Sequence, residues 1–479
     1  MNDFVHQPPA ATLPPEIIGR FAAIVGRGHA LTDPAQQLPY LREWRDKYEG
    51  RSALVLRPGS THEVARIMAL AHDLELAVVP QAGNTGLVGG QIAHRGEIVV
   101  SVTRLDRVRH IDPAGTAMTV EAGLTLADAQ AAAERAGRLF PLSLPSEASC
   151  RIGGTLGTNA GGIGVLAYGN ARQLVLGLEV VLADGRVWNG LKALKKDNTG
   201  YDLKDLFIGS EGTLGIITAA VLKLFPRPAE TATAFVALGR IDDALPLFGV
   251  ASDDAGPALT AFEFIQRYPL EVVLSHVAGT RDPFPTTYPW YVLMEVSGLK
   301  TDGTAQTMLE RILGQAAQRE PILDAVIAGS LTQARDLWRL RESVSEAQKS
   351  VGGVIKHDIS VPVARIPEFI RRADTLVTGI CPGARPLALG HFGDGNIHYN
   401  VAQPPGMAKH EFLAQWDTMM EAVHTLAAGM DGSISAEHGI GVMKRGELAR
   451  FKSEVELDMM RRIKAALDPK GILNPGKVV

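Results

Sequence analysis

Cysteine is scarce in this chain of 479 residues, which contains only Cys150 and Cys381. Two isolated thiols exclude a disulfide framework and a zinc site built from cysteine ligands. We interpret both residues as small buried hydrophobic side chains. Such sparse cysteine usage is typical of a reducing compartment, and we therefore expect a cytoplasmic protein.

The chain also lacks an excess of either charge and any long hydrophobic run. It has 48 Lys and Arg residues against 52 Asp and Glu residues, a net charge of −4, which argues against nucleic acid as a partner. No run of about 18 apolar residues is present, so we expect no transmembrane helix. Residues 1–17 have neither the basic start nor the apolar stretch of a signal peptide.

Glycine, by contrast, is abundant at 50 residues, and it clusters between residues 83 and 215. The segment Pro80–Gly90 follows a predicted strand over residues 76–79, and its glycines allow successive N–H groups to form an anion-binding nest. A second glycine-rich stretch, residues 151–164, lacks the strand-before, helix-after context of a Rossmann fingerprint, and the chain has no P-loop. Either segment alone could be ordinary turn chemistry. Together they favour a dinucleotide bound in extended form between backbone loops.

Four short segments occur in order within the first 225 residues: PQAGNTG at 80–86, EAG at 121–123, GGTLGTNAGG at 153–162 and GSEGTLGII at 209–217. Together they resemble the FAD-binding domain of the vanillyl-alcohol oxidase family, also called the p-cresol methylhydroxylase (PCMH) type. The resemblance implies that the first segment holds the pyrophosphate and that later segments run past the isoalloxazine and the adenosine. The implied cofactor-binding residues are Pro80, Gln81, Gly83, Asn84, Thr85, Gly86, Leu87, Glu121, Pro145, Gly153, Gly154, Gly157, Thr158, Asn159, Gly161, Gly162, Gly212, Ile217 and Asn474.

A group of histidines and one carboxylate stands near the C-terminus. The predicted turn at residues 393–396 lets His391 and His398 face one point. Glu437 and His438 lie in a second glycine-framed segment, and adjacent residues of an extended chain point in opposite directions. Two imidazoles and one carboxylate can bind Zn²⁺, Mn²⁺ or a similar ion, while a free imidazole suits a proton acceptor. Structural histidines are the alternative reading, and the spacing is not that of a zincin protease.

Two further segments supply positive charge. A predicted helix over residues 331–350 carries Arg341 and Ser345 one turn apart. A predicted strand over residues 354–363 carries Lys356. Each of these side chains could be ordinary surface charge or part of a salt bridge, whereas the functional interpretation is a clamp on an acidic substrate.

The whole chain resembles the flavin-linked D-2-hydroxy acid dehydrogenases, and most closely the members that oxidise D-2-hydroxyglutarate. The resemblance rests on residues 194–215, 390–398, 435–439 and 467–475. It implies that His391, His398 and Glu437 are metal ligands and that His438 is the catalytic base. It also implies that Arg341, Ser345, Lys356 and Asn400 bind the substrate, together with His438. The family often has Thr where this chain has Ser345, and the hydroxyl is kept.

The fold that we expect is α+β, with three parts. Residues 1–227 should form a two-subdomain PCMH-type FAD-binding domain. Residues 228–430 should form an α+β substrate or cap domain with an antiparallel sheet. Residues 431–479 should be a C-terminal helical segment that packs back on the flavin.

The expected cofactors are FAD and a divalent metal, with Zn²⁺ preferred over Mn²⁺ or Co²⁺. The expected partners are a small D-2-hydroxy acid and an electron acceptor such as electron-transfer flavoprotein or a quinone, and a homodimer is one candidate assembly. Three alternatives stay open. They are a D-lactate or broad-specificity D-2-hydroxy acid dehydrogenase, a metal-dependent hydrolase without flavin, and a non-catalytic flavin-binding subunit.

Some members of the resembled family attach FAD covalently through a histidine in the first glycine-rich segment. That segment contains Asn84 and Thr85 but no histidine here. We therefore predict that acid denaturation releases all of the flavin into the supernatant, which is measured by absorbance after centrifugation. A yellow protein pellet would contradict non-covalent binding.

Overall fold

The computed structural model describes residues 13–319 and 322–479, and the chain divides into two compact units. The first unit comprises the chain up to Gly162, Gly169–Pro226 and Glu437–Val479. The second unit comprises Ile163–Tyr168 and Arg227–Ala436. Across the two described ranges, no helix combines the length and the apolar character that crossing a membrane requires.

The strands of the described chain are between two and nine residues long. They are β1 (Ala30–Leu31), β2 (Val55–Leu56), β3 (Val78–Gln81), β4 (Ile98–Ser101), β5 (Val108–Ile111), β6 (Ala117–Glu121), β7 (Arg138–Leu139), β8 (Val175–Val181), β9 (Val187–Gly190), β10 (Ile216–Lys223), β11 (Phe225–Pro226), β12 (Glu230–Leu238), β13 (Leu259–Gln266), β14 (Trp290–Gly298), β15 (Ile322–Ile327), β16 (Val354–Ser360), β17 (Arg385–His391) and β18 (Asn396–Ala402).

The α-helices alternate with these strands along much of the chain. They are α1 (Pro15–Val25), α2 (Pro34–Leu41), α3 (Thr61–Asp73), α4 (Leu126–Arg135), α5 (Ile152–Gly157), α6 (Val165–Tyr168), α7 (Lys204–Phe207), α8 (Ala244–Ala255), α9 (Arg267–His276), α10 (Thr304–Arg319), α11 (Leu331–Glu342), α12 (Val344–Ala347), α13 (Ile366–Ile380), α14 (Lys409–Leu413), α15 (Trp416–Ala428), α16 (Arg445–Phe451) and α17 (Glu454–Leu467).

The first unit contains two main sheets. One has the order β1-β2-β4-β3, in which β4 pairs in parallel with both β2 and β3. Residues 53–79 predict a β-α-β unit, which is present as β2, α3 and β3, with β4 inserted between its strands. Ser60 caps α3 by accepting the main-chain N–H of Glu63. The other sheet, β5-β6-β10-β8-β9, is antiparallel throughout, and Gly185 lies in the turn between β8 and β9 with a positive φ of 85°.

The C-terminal segment returns to β3 within the first unit. The N–H of Val78 donates to the oxygen of Ile472 at 2.8 Å, and the N–H of Asn474 donates to the oxygen of Val78 at 2.7 Å. These bonds extend the parallel sheet by a short bridge at Leu473. The last residues of the chain thus lie alongside the strand that leads into the first glycine-rich segment.

The second unit is built on one seven-stranded sheet with the order β15-β12-β14-β13-β17-β18-β16. Every pairing in it is antiparallel, which confirms the α+β fold with an antiparallel sheet. One face packs against α8, α10, α13 and α15 around Phe264, Phe392 and Tyr399. The other face packs against α9, α11 and α12 around Phe235, but only over part of its area.

Three predicted elements differ from the structure. The helix expected over residues 331–350 is divided into α11, α12 and a 3₁₀ turn at Gln348–Val351. The sequence also predicts a helix over residues 409–430, and the structure divides it into α14 and α15. Neither division coincides with a proline or glycine, so the sequence carries no signal for it. The strand expected to reach residue 363 ends at Ser360, two residues before Pro362.

Candidate functional site

The first glycine-rich segment, Pro80–Gly90, presents main-chain rather than side-chain groups. Asn84 has a left-handed backbone, φ +53°, and its Nδ2 donates to the main-chain oxygens of Pro39 and Arg42 at 3.0 and 2.9 Å. Within the described parts of the chain, no main-chain N–H of residues 83–87 donates to a protein acceptor. A run of such donors in a tight turn matches what a pyrophosphate requires.

Gly83 allows this segment to approach a second one closely. A Cβ atom at Gly83 would overlap the main-chain oxygen of Ser149 and lie 3.0 Å from the Cα of Cys150. The backbone cannot yield at that contact as a flexible side chain would. Glycine is therefore required here by the close approach of two backbone segments.

The second glycine-rich stretch corrects one expectation, because part of it is helical. Residues Ile152–Gly157 form α5 rather than a loop. Cβ atoms at Gly153 and Gly154 would lie 2.8 Å from Ala122 Cβ and 3.1 Å from Ala82 Cβ. The glycines thus let a short helix pack tightly between neighbouring segments, which periodicity cannot reveal in six residues.

The carboxylate of Glu121 is buried in the first unit and pairs with other side chains of the protein. Glu121, a predicted cofactor-binding residue, forms ion pairs with Arg107 at 2.9 Å and Arg109 at 3.1 Å. Burial alone would raise the pKa of Glu121, but the hydrogen bonds and charges of both arginines hold it below its ordinary value. The carboxylate is therefore committed to protein partners, and its cofactor contact stays a prediction.

Glu211 lies in the GSEG segment and was missed by the sequence analysis. Its Oε1 accepts the N–H of Ile440 at 2.7 Å, and its Oε2 accepts the N–H of Gly441 at 2.9 Å. Burial raises the pKa of Glu211 despite these two bonds and the charge of Lys444. Asn474 donates to the main-chain oxygen of Glu211 at 2.8 Å. These contacts fix the segment that follows Glu437 and His438.

Glu437 itself is held by a predicted flavin segment of the same unit. Its Oε1 accepts the N–H of Gly162 at 2.8 Å. The preceding residue, Ala436, ends the second unit and donates its N–H to the oxygen of Asp358 at 3.3 Å. Ala436, the residue directly before Glu437 in the chain, is therefore hydrogen-bonded to β16.

The register of the second unit's sheet assembles the other predicted residues on one face. Directly paired residues of an antiparallel sheet share a face. His391 pairs with Asn396, and His398 pairs with Asp358, while Asn400 pairs with Lys356. The predicted metal ligands of this unit therefore share a face with two predicted substrate-binding residues.

His391 and His398 lie close together, with ring centroids 5.4 Å apart and the rings nearly perpendicular. His391 is buried and His398 is half-buried. Nδ1 of His391 lies 2.7 Å from Oε1 of Glu263, whereas Nδ1 of His398 lies 3.7 Å from Asp358 Oδ1. The pair fits a metal that prefers imidazole ligands.

Glu263 is the second residue that the sequence analysis missed. It is only 1% exposed, in the middle of β13, and its Oε2 accepts from Nε and Nη2 of Arg341 at 2.9 and 2.8 Å. Burial alone would raise the pKa of Glu263, but His391 and Arg341 together hold it below its ordinary value. The signal available in the sequence was the single acidic residue between Phe262 and Phe264. A charge buried among apolar residues needs a partner, which points to a functional or structural pairing.

The predicted substrate-binding residues differ in their surroundings. Arg341 is buried, whereas Ser345 and Lys356 are exposed. Asn400 is buried, and its Nδ2 donates to Oε1 of Gln348 at 3.1 Å. Gln348 is a further buried polar residue that the sequence analysis missed, since no motif marks it.

Two family models identify the chain as an oxidoreductase that binds FAD. Residues 52–190 match the family described as "FAD binding domain", and residues 227–478 match "FAD linked oxidases, C-terminal domain". The chain belongs to the FAD-linked oxidase family and is an FAD-dependent dehydrogenase. The resemblance stated from the sequence is confirmed.

Relatives and solved structures agree with this assignment. The chain is 38% identical to "Probable D-2-hydroxyglutarate dehydrogenase, mitochondrial" of Oryza sativa subsp. indica, across 99% of this chain and 83% of the relative. It is 36% identical to a "D-2-hydroxyglutarate--pyruvate transhydrogenase" of Saccharomyces cerevisiae, across 99% and 96% of the two chains. A structure of p-cresol methylhydroxylase with substrate bound has the same fold, with TM-score 0.76, 16% identity and coverage of 97% and 96%.

One prediction from the first unit concerns Gly83. Gly83→Ala should weaken FAD binding about tenfold or more, because overpacking against backbone costs about 1–3 kcal/mol. The measurement is fluorescence titration of the apoprotein with FAD. Gly19→Ala is the matched control, since a Cβ at Gly19 meets nothing within 4 Å. Equal FAD affinity in the two variants would contradict the close approach.

Another prediction concerns Asp394, in the turn between β17 and β18. Burial raises the pKa of Asp394 from 3.8 to about 6, against the opposing charge of His391 and the hydrogen bond from the Asn396 N–H. The protonated form therefore contributes stability that is complete below pH 3.8 and is lost as the pH rises through about 6. Asp394→Asn should remove this dependence.

The test is thermal unfolding of both proteins with chelator present. The stability of the variant relative to the parent should rise as the pH increases from 3.8 to about 6, the interval over which the parent loses the contribution of protonated Asp394. A difference in melting temperature that does not change with pH would contradict the raised pKa.

Proposed function

We propose that the protein oxidises D-2-hydroxyglutarate to 2-oxoglutarate. The observation that carries the proposal is the sheet face shared by His391, His398 and Asn400, on which Glu263 contacts both His391 and Arg341 of α11. The near full-length similarity to the rice relative supports the choice of substrate. A diacid of this kind matches a face that offers both imidazole and cationic groups.

FAD would be held without a covalent bond by the main-chain donors of residues 83–87 and by the second glycine-rich stretch. His391, His398 and Glu437 would hold a divalent ion, with Zn²⁺ preferred. When bound, the flavin supplies an acceptor for hydride at N5, and the metal supplies a Lewis acid for the substrate hydroxyl and C1 carboxylate.

The protein's own part is to position the substrate and to move one proton. Arg341 and Lys356 would bind carboxylate, with Ser345 and Asn400 supplying neutral hydrogen bonds. His438 would accept the proton of the C2 hydroxyl as the C2 hydrogen leaves with its electron pair. The substrate loses two electrons and two protons in total, which gives the 2-oxo acid.

The reduced flavin must then pass its electrons to an acceptor. Electron-transfer flavoprotein or a quinone is our prediction, and the name of the yeast relative adds pyruvate as a third candidate. The rice relative is named as mitochondrial, so the cytoplasmic location expected from cysteine usage stays a prediction.

The decisive experiment is anaerobic reduction of the purified, metal-loaded protein. D-2-hydroxyglutarate should bleach the visible flavin band, and L-2-hydroxyglutarate should not. Equal bleaching by D-lactate would favour the broad-specificity alternative. A coloured protein that no substrate bleaches would favour a non-catalytic flavin subunit, and a protein that never binds FAD would favour the hydrolase.

The role of His438 has its own prediction. His438→Gln should keep FAD but reduce the rate of flavin bleaching about 10²- to 10⁴-fold, because the hydroxyl proton loses its acceptor. His110→Gln, at an exposed position of β5, is the matched control and should react at the parent rate. Stopped-flow absorbance measures both, and an unchanged rate in His438→Gln would exclude it as the base.

A further inference from the structure

Glu263 is a charged residue in an apolar strand. The adjacent Phe262 and Phe264 lie on the opposite face, within the packed core. Its direct cross-strand neighbours are Leu293 on β14 and His391 on β17. A carboxylate at 1% exposure is stable only if its oxygens receive strong hydrogen bonds, so its partners define its role.

The two oxygens of Glu263 serve different partners. Oε1 lies 2.7 Å from Nδ1 of His391, and Oε2 accepts from Nε and Nη2 of Arg341. An ionised carboxylate can only accept, so Nδ1 of His391 must carry a proton. In a neutral imidazole this leaves the lone pair on Nε2, which is the atom that a metal would bind.

The same contacts restrict Arg341. Its guanidinium is permanently protonated and has five N–H donors in a rigid plane. Nε and Nη2 are directed at Glu263, so the plane of the group is fixed and Nη1 points away from that carboxylate. One buried side chain thus sets the orientation of a proposed metal ligand and of a proposed substrate clamp.

We propose that Glu263 is a positioning residue that holds His391 in the tautomer with Nε2 available for metal and holds Arg341 oriented for the substrate carboxylate. This inference rests on the proposed function. It also links metal binding with substrate binding, because removal of a single carboxylate disturbs both partners.

The informative variant is Glu263→Gln, which keeps the shape but offers one acceptor oxygen to two sets of donors. Arg341 cannot become an acceptor, so it keeps the amide oxygen. The amide NH₂ then faces His391, whose proton must move from Nδ1 to Nε2. The variant should therefore invert the tautomer of His391 and block its metal-binding nitrogen.

Glu295→Gln is the matched control. Glu295 lies on β14 of the same sheet, and its Oε2 accepts from Trp338 Nε1 at 2.8 Å and from Thr233 Oγ1 at 3.1 Å. It carries the same chemical change on the same sheet but contacts no residue that we assign to metal or substrate.

The first measurement is ¹⁵N NMR of the histidine side chains in metal-free, full-length protein, with His391 assigned by its loss in His391→Asn. The parent and Glu295→Gln should show the proton of His391 on Nδ1, and Glu263→Gln should show it on Nε2. The second measurement is zinc affinity by competition with a chromophoric chelator, which should fall roughly 10- to 100-fold in Glu263→Gln alone. The KM for D-2-hydroxyglutarate should rise in the same variant.

The outcomes separate the inference from the proposed function. An Nε2 proton on His391 in the parent would overturn the inference even if the variant failed to fold. So would an unchanged tautomer and zinc affinity in Glu263→Gln while D-2-hydroxyglutarate still bleaches the parent flavin. A parent that D-2-hydroxyglutarate never bleaches, but whose His391 tautomer inverts in the variant, would instead reject the substrate and support the positioning role.

Discussion

The antiparallel register of β13, β17, β18 and β16 is the constraint on which the chemistry of the second unit depends. Paired residues share a face, so this register places Glu263 beside His391 and places His398 beside Asp358. A slip of one residue would turn each of these side chains into the opposite, apolar face. The packed aromatic residues of that face make such a slip costly, because they would have to leave the core.

Within that frame, the polar residues of the face stabilise one another. The buried carboxylate of Glu263 would be unfavourable alone, but the guanidinium of Arg341 compensates its charge and the imidazole of His391 hydrogen-bonds its other oxygen. Each partner is in turn confined to one orientation. An arrangement that removes the electrostatic cost of burial therefore also prepares the groups that we assign to metal and substrate.

In the first unit, we assign FAD binding to main-chain groups rather than to side chains. The side chain of Asn84 donates to the main-chain oxygens of Pro39 and Arg42, and the carboxylate of Glu121 accepts hydrogen bonds from two arginines. The main-chain N–H groups of residues 83–87 donate to no acceptor in the described parts of the chain, and we propose that they bind the pyrophosphate. Glycines at close backbone contacts make this possible, which explains why the glycine pattern was the strongest signal in the sequence.

The sequence by itself determined the family, the glycine-rich segments, the antiparallel α+β architecture of the second unit and the candidate histidines, because these features depend on local composition, order and periodicity. The breaks at residues 343 and 414–415 left no local signal, and neither did the short helix at Ile152–Gly157. Only the tertiary structure decided that Glu263, Glu211 and Gln348 are partners of the candidate residues. Their importance comes from burial and tertiary contacts, which join residues 52 to 263 positions apart, and no local pattern records such pairs.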